Sequence, residues 1–111
     1  MRQLAHPPAV RCFSRVHDLM HIPVPRRDAA WWGAIRQARD ATLAILRGPL
    51  DPAVVAILRG PTVPTFIAAD PLWAASVWSG ALAEVEAWSA RLDAAYLRFA
   101  TWQTYGLTGT A

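Results

Sequence analysis

The last third of the chain constrains the fold most, because it contains no proline after Pro71 and carries apolar residues at helical spacing. Asp70 can cap a first turn with its carboxylate, and Pro71 suits the first helical position, where no backbone N–H is needed. Seven-residue repeats then form two adjacent lines, Trp78, Val85, Leu92 and Phe99, and Ala81, Trp88, Ala95 and Trp102. With Gly106 as a terminating residue, the pattern predicts one helix over about 71–105.

The predicted length of this helix limits how the rest of the chain can pack. About 34 helical residues span roughly 50 Å. A compact chain of 111 residues is a globule only about 34 Å across. We therefore expect the helix either to bend, with Gly80 as the place of a kink, or to project and have its apolar face covered by something else.

Three shorter helices are predicted before the long one, at about 8–21, 29–47 and 52–59. Each of them is predicted to end where a proline follows closely, because proline disfavours helix in the residue before it. These prolines are Pro23, Pro49 and Pro61. Asp28 and Asp51 are the predicted caps of the second and third helices. No stretch alternates as a half-buried strand would.

The fold prediction is therefore all-α, with three short helices packed on one long C-terminal helix. It is a single small domain over residues 1–111, with an extended N-terminal arm at 1–7 and a short tail at 106–111. On the outer face of the second helix, Arg36 and Asp40 are expected to form an ion pair four residues apart.

Charge is distributed unevenly between the two halves of the chain. Residues 1–50 carry eight arginines and three aspartates, a net charge of +5, while residues 51–111 carry three arginines and five acids, a net charge of −2. A basic half of this kind could meet nucleic acid, an acidic protein surface, or the acidic half of a neighbouring copy.

Cysteine content and hydropathy indicate the cellular compartment in which the protein is expected. Cys12 is the only cysteine, so no intrachain disulfide can form and a reducing compartment is expected. No uncharged run reaches the 18 or so residues of a membrane span. No signal peptide is predicted, and we expect a cytoplasmic or virion-associated protein.

Neither a metal site nor an active site is predicted. His17 and His21 stand four apart, as in a zinc-binding helix, and Cys12 precedes them, but Asp18 replaces the longer glutamate that such a site uses. Surface histidines at a helix end account for this pattern. The acids of the long helix do not share a face for acid–base chemistry, so we expect no enzyme and no cofactor.

Two Trp-x-Gly segments, Trp31-Trp32-Gly33 and Trp78-Ser79-Gly80, resemble the signature of the small helical-hairpin proteins of type VII secretion. In that family the motif lies in the turn between two long helices. Here both copies fall within predicted helices, and Ala100 stands where the family has an acid four residues after a tyrosine, here Tyr96. The family is therefore not predicted.

The tryptophans indicate a protein-binding surface. Adjacent helical residues point about 100° apart, so Trp31 and Trp32 cannot both face one core, and Trp73 lies off the main apolar line. Tryptophan is enriched at interface hot spots. The predicted partner-binding residues are Trp32, Trp73, Leu97, Trp102 and Tyr105, with the tail after Gly106.

The function predicted from these features is that of a non-enzymatic structural or interaction subunit in a larger protein assembly, most specifically a minor phage virion component of the head–tail joint, neck or tail. One alternative is a small nucleic-acid-binding or regulatory protein that contacts phosphates or an acidic surface through a basic stripe. The residues of that stripe are Arg26, Arg27, Arg36, Arg39 and Arg47. A second alternative is an accessory subunit of an organellar or membrane complex, suggested by the acid-free, arginine-bearing N-terminus.

Overall fold

The chain folds into helices that pack around the long C-terminal one. A computed structural model describes residues 8–60, 63, 67 and 69–106. The helices are α1 (Pro8–Met20), α2 (Ala29–Arg47), α3 (Pro52–Arg59) and α4 (Pro71–Thr101). A 3-10 turn (Val24–Arg26) joins α1 to α2, and a π-helical turn (Trp102–Gly106) follows α4. No strand occurs within the described residues.

This architecture confirms the predicted all-α fold with three short helices on one long one. The observed ends of α2 and α3 coincide with the predicted ones, and α1 ends one residue earlier. Helical structure continues through Gly80 without a break. The predicted arm at 1–7 and the tail beyond Gly106 lie outside the described residues.

Aspartate caps explain why three of the helices begin where they do. The side chains of Asp28, Asp51 and Asp70 accept hydrogen bonds of 2.9 Å from the backbone N–H groups of Trp31, Ala53 and Leu72. Proline follows the cap at the start of both α3 and α4. Gly60 ends α3 with a φ of +73°, in the left-handed region that favours glycine.

We expect Asp70→Ala to lower the free energy of unfolding by about 1 kcal/mol, because it leaves an N–H group at the start of α4 without its acceptor. Asp70→Asn is the matched control, since asparagine caps about as well as aspartate. Urea denaturation monitored by circular dichroism measures both variants. Equal losses for Ala and Asn would show that the cap does not stabilise α4.

The core consists of two apolar clusters along α4. Near its start, Trp78 packs with Leu46 of α2 and with Val54 and Val55 of α3. Near its end, Leu92 packs with a cluster from α1 and α2, which comprises Leu19, Trp31, Ile35 and Ala38. Helix α2 therefore runs antiparallel to α4 and contributes to both clusters.

Two buried tryptophans also donate hydrogen bonds to backbone carbonyl groups at the ends of helices. The indole N–H of Trp31 donates to the Leu19 carbonyl at 2.7 Å, and that of Trp78 donates to the Leu46 carbonyl at 2.8 Å. Both carbonyls lie in last turns, where C=O groups have no partner within the helix. Each tryptophan thus fills the core and fixes a helix end.

The molecule is elongated. Its principal extents are 62 × 34 × 24 Å, and its radius of gyration is 17.5 Å, compared with about 13 Å for a compact chain of this length. The 31 residues of α4 span roughly 46 Å. The prediction that this helix is too long for a compact globule agrees with these dimensions.

Candidate interaction surface on the long helix

The predicted basic stripe is largely used inside the chain. Arg39 has only 6% of its surface exposed. Its Nε donates to Asp40 at 2.6 Å, and its Nη1 donates to Asp93 at 2.8 Å and to the Ser89 hydroxyl at 2.8 Å. Arg39 therefore joins α2 to α4. The prediction that Arg36 pairs with Asp40 is wrong, because Asp40 binds the neighbouring Arg39 instead.

Burial lowers the pKa of Arg39, but hydrogen bonds to Asp93 and Asp40 and their negative charges raise it by more. The net result is a pKa above the ordinary value for arginine. The guanidinium is therefore charged at neutral pH, and it acts as a structural cation between α2 and α4.

Three other arginines of the stripe also have partners within the chain. Arg47 pairs with Glu86 at 3.1 Å. The guanidinium of Arg36 lies 4.0 Å from the ring centre of Tyr96, although its buried Nε has no hydrogen-bond partner. Arg27 donates to the Ile22 and Met20 carbonyls at 3.0 Å and lies 4.5 Å from the Trp31 ring centre.

Arg26 is the remaining member of the predicted stripe. It is exposed on the 3-10 turn. Because the other four arginines bind groups of their own chain, the predicted stripe does not form a continuous row of free cations. A surface that binds a phosphate backbone would need such a row.

The predicted partner-binding residues occupy different environments. Trp32 is half-buried, with its ring stacked on Phe99 at 5.5 Å between centres and lying 5.7 Å from Tyr96. Trp73 is also half-buried and packs beside the Trp78 cluster. Leu97 and Trp102, in contrast, expose 66% and 51% of their surfaces. The side chain of Tyr105, like the tail, lies outside the described residues.

The histidine pair has a local structural role. His21 Nδ1 lies 2.8 Å from the His17 carbonyl, and the two ring centres are 4.2 Å apart. Cys12 is a free, half-buried thiol. In the part of the chain that the structure describes, no three side chains of the metal-ligating types come together.

The predicted partner-binding residues Leu97 and Trp102 belong to a longer exposed surface, the outer face of α4. This face consists of exposed residues on the side away from Trp78 and Leu92. Its members are Leu72, Ser76, Gly80, Ala83, Glu84, Ala87, Ala90, Arg91, Ala94, Leu97, Arg98, Thr101 and Trp102. Only three of them are charged. Exposed apolar residues that continue along several turns of a helix are typical of interaction surfaces.

A sequence signal for this face exists. Eight of its members recur at alternating spacings of four and three, which is a second seven-residue repeat: Ser76, Gly80, Ala83, Ala87, Ala90, Ala94, Leu97 and Thr101. Their small size hides the repeat, because the large residues of the other face dominate any search for hydrophobic periodicity. The repeat becomes visible once the buried face has been assigned.

An apolar groove runs beside the outer face. It has a volume of about 600 Å³ and lies between α1 and α4, with Leu58 of α3 at one side. Phe13, Val16 and Met20 form its α1 wall, and Val85 and Trp88 belong to its α4 wall. Glu84 and Arg91 line both the groove and the outer face.

No single helix among the described residues is long and apolar enough to cross a membrane. The pair α2 and α3 reaches the length and hydropathy of a span only when both are counted together, and they meet at an angle of 119°.

The chain matches no family model, no curated protein and no solved structure.

Proposed function

We propose that the protein is a non-enzymatic interaction subunit of a larger protein assembly, and that it docks through the outer face of α4. The observation that carries the proposal is the exposed apolar side of a helix about 46 Å long. Leu72, Leu97 and Trp102, which expose 81%, 66% and 51% of their surfaces, lie near its two ends. Water contact with so much apolar surface is unfavourable, and burial against another protein removes it.

The elongated shape supports the same function. A helix that extends through most of the length of an elongated subunit can contact a neighbour over many turns without a cleft or a rearrangement. The most specific form of the proposal is a minor structural protein of a phage particle, at the head–tail joint, neck or tail. Its support is the small size of the chain together with the exposed apolar face of its longest helix.

The test of this function removes apolar surface from α4 without removing its helix propensity. Leu97→Gln combined with Trp102→Gln is expected to release the chain from the complex that holds it in extracts of its source, measured by native gel filtration. Val24→Gln is the matched control, because Val24 is 70% exposed but lies on the 3-10 turn. It should leave the complex intact.

The outcomes separate clearly. A wild-type chain that elutes at its own mass in source extracts contradicts the proposed function. So does a double variant that stays in the complex as firmly as the wild type. Far-UV circular dichroism checks that both variants keep their helices, so a loss of the complex can be assigned to the surface.

A further inference from the structure

We propose that the neighbour on the outer face of α4 is the same face of a second copy of this chain, packed antiparallel. This inference rests on the proposed function, since it names the partner of the proposed docking surface. The first support is the alternating four-and-three spacing along that face, because two helices stay in contact over many turns only when contact residues recur about every 3.5 residues. Gly80, Ala83 and Ala87 leave room for a close approach of the two axes.

Charge decides the direction of the second helix. Glu84 and Arg91 lie seven residues apart on the same edge of the face, and neither makes an ion pair or side-chain hydrogen bond within the described chain. In an antiparallel pair, Glu84 of each copy faces Arg91 of the other, giving two equivalent ion pairs about a two-fold axis. A parallel pair would instead bring this edge against the opposite edge, where Glu86 and Asp93 already pair with Arg47 and Arg39 of their own chain, so Glu84 and Arg91 would not pair with each other.

The other edge of the face is already neutralised. Glu86 and Asp93 lie there, and in an antiparallel pair they would approach their equivalents in the second copy. Arg47 compensates Glu86, and Arg39 compensates Asp93, both within the chain. The acids on this edge are therefore already paired within their own chain, so they do not repel a second copy.

The register set by the ion pairs also matches the exposed apolar residues. With Glu84 opposite Arg91, each pair of opposed residues has numbers that add up to 175. Trp102 of one copy then faces Trp73 and Leu72 of the other. Leu97 lies beside the segment 76–80, where Ser76 and Gly80 leave space for it. The arrangement that pairs the charges therefore also covers the exposed apolar side chains at both ends of the helix.

The size of the surface sets the strength of the pairing. A strip about 46 Å long and 10 Å wide gives roughly 460 Å² per copy, so the interface lies below the standard size for stable complexes. We therefore expect a dimer that forms at micromolar concentrations and dissociates on dilution.

The test is a pair of charge reversals, each on the full chain. Glu84→Arg alone puts cations at both positions 84 and 91, and Arg91→Glu alone puts anions at both. Each variant is expected to dimerise at least tenfold more weakly than the wild type in sedimentation velocity, because like charges then meet in both ion-pair positions. An equimolar mixture of the two is expected to restore the dimer, since every contact is again between opposite charges.

Direction is tested by disulfide trapping in a Cys12→Ser background. Gly80→Cys and Ala94→Cys lie within one residue of being opposite each other in the antiparallel register, so a mixture of these two variants should cross-link on oxidation more than either variant alone. A parallel pair would instead cross-link each variant with itself.

Three results would overturn the inference. One is a wild-type chain that stays monomeric at high concentration. Another is a dimer that both charge reversals leave unchanged. The third is preferential cross-linking of each cysteine variant with itself. The first result, together with a complex in source extracts that Leu97→Gln and Trp102→Gln destroy, would reject the second copy and retain the proposed function with a different partner.

Discussion

Replacing Trp78 by alanine is expected to lower the free energy of unfolding by about 3–5 kcal/mol, because the change removes a large side chain from a packed core. Trp78 is buried against Leu46, Val54 and Val55, and it is the buried member that α4 contributes to this cluster with α2 and α3. The same change also leaves the Leu46 carbonyl without its indole donor. Urea denaturation followed by circular dichroism measures the loss.

Two further variants separate the causes of this effect. Trp78→Phe keeps most of the volume and removes the hydrogen bond, so we expect a smaller loss, about 1–3 kcal/mol. Trp102→Ala is the matched control at an exposed tryptophan directly after the same helix, and there we expect about 0.5 kcal/mol or less in the isolated chain. If Trp78→Ala costs no more than Trp102→Ala, the assignment of the core is wrong.

The second large effect is expected at Arg39. Arg39→Ala removes charge-assisted hydrogen bonds to Asp93, Asp40 and Ser89, and it leaves a gap between α2 and α4. We expect a loss of about 3 kcal/mol, because each hydrogen bond to a charged group contributes about 1.5–3 kcal/mol but the two carboxylates recover water contacts. Arg39→Met, which keeps most of the buried volume, should cost less.

The exposed pair between Arg47 and Glu86 is the control for Arg39. It links the same two helices in the same sense, but both side chains are about half exposed. We expect Arg47→Ala to cost less than about 1 kcal/mol, as is usual for surface ion pairs. Equal costs at Arg39 and Arg47, measured by urea denaturation, would show that burial of the Arg39 network does not matter.

The pH dependence of this contribution follows from the sign of the pKa change. The pKa of Arg39 is raised in the folded chain. A raised pKa stabilises the fold below the pKa of the unfolded chain, and this stabilisation disappears only as pH rises through the folded value. For arginine both values lie in strong base. The stability difference between wild type and Arg39→Met should therefore show no loss from Arg39 titration between neutral and moderately alkaline pH.

The helices could be predicted closely because their boundaries depend on local chemistry. Asp28, Asp51 and Asp70 are good caps wherever they stand, and Pro71 can only begin a helix. The seven-residue repeat through Trp78 and Leu92 likewise shows which side of α4 faces the core. None of these inferences needs knowledge of a distant contact.

The arginines could not be assigned in the same way, because their partners are distant in sequence. Arg39 stands 50 and 54 residues before Ser89 and Asp93, and only the antiparallel packing of α2 on α4 brings them together. Arg36 was expected to pair with Asp40 at helical spacing. In the folded chain Arg36 lies over the ring of Tyr96, and the carboxylate of Asp40 binds Arg39.

Trp32 shows the same dependence on tertiary structure. Its position at the edge of the α2 core line follows from the sequence, but its stacking on Phe99 depends on the register between α2 and α4. Leu97 and Trp102, predicted as partner-binding residues, are exposed, and they belong to a face of small residues that an analysis based on large apolar side chains does not detect.

The most direct test of the central claim, that the outer face of α4 is a protein-docking surface, is the solution mass of the purified chain. Sedimentation equilibrium should compare the wild type with the Leu97→Gln and Trp102→Gln double variant over increasing concentration. We expect a wild-type mass that rises from 12.2 kDa toward twice that value, while the double variant stays near the monomer mass. Identical curves for the two proteins, with the wild type also free of any complex in extracts of its source, would show that the outer face of α4 does not bind protein.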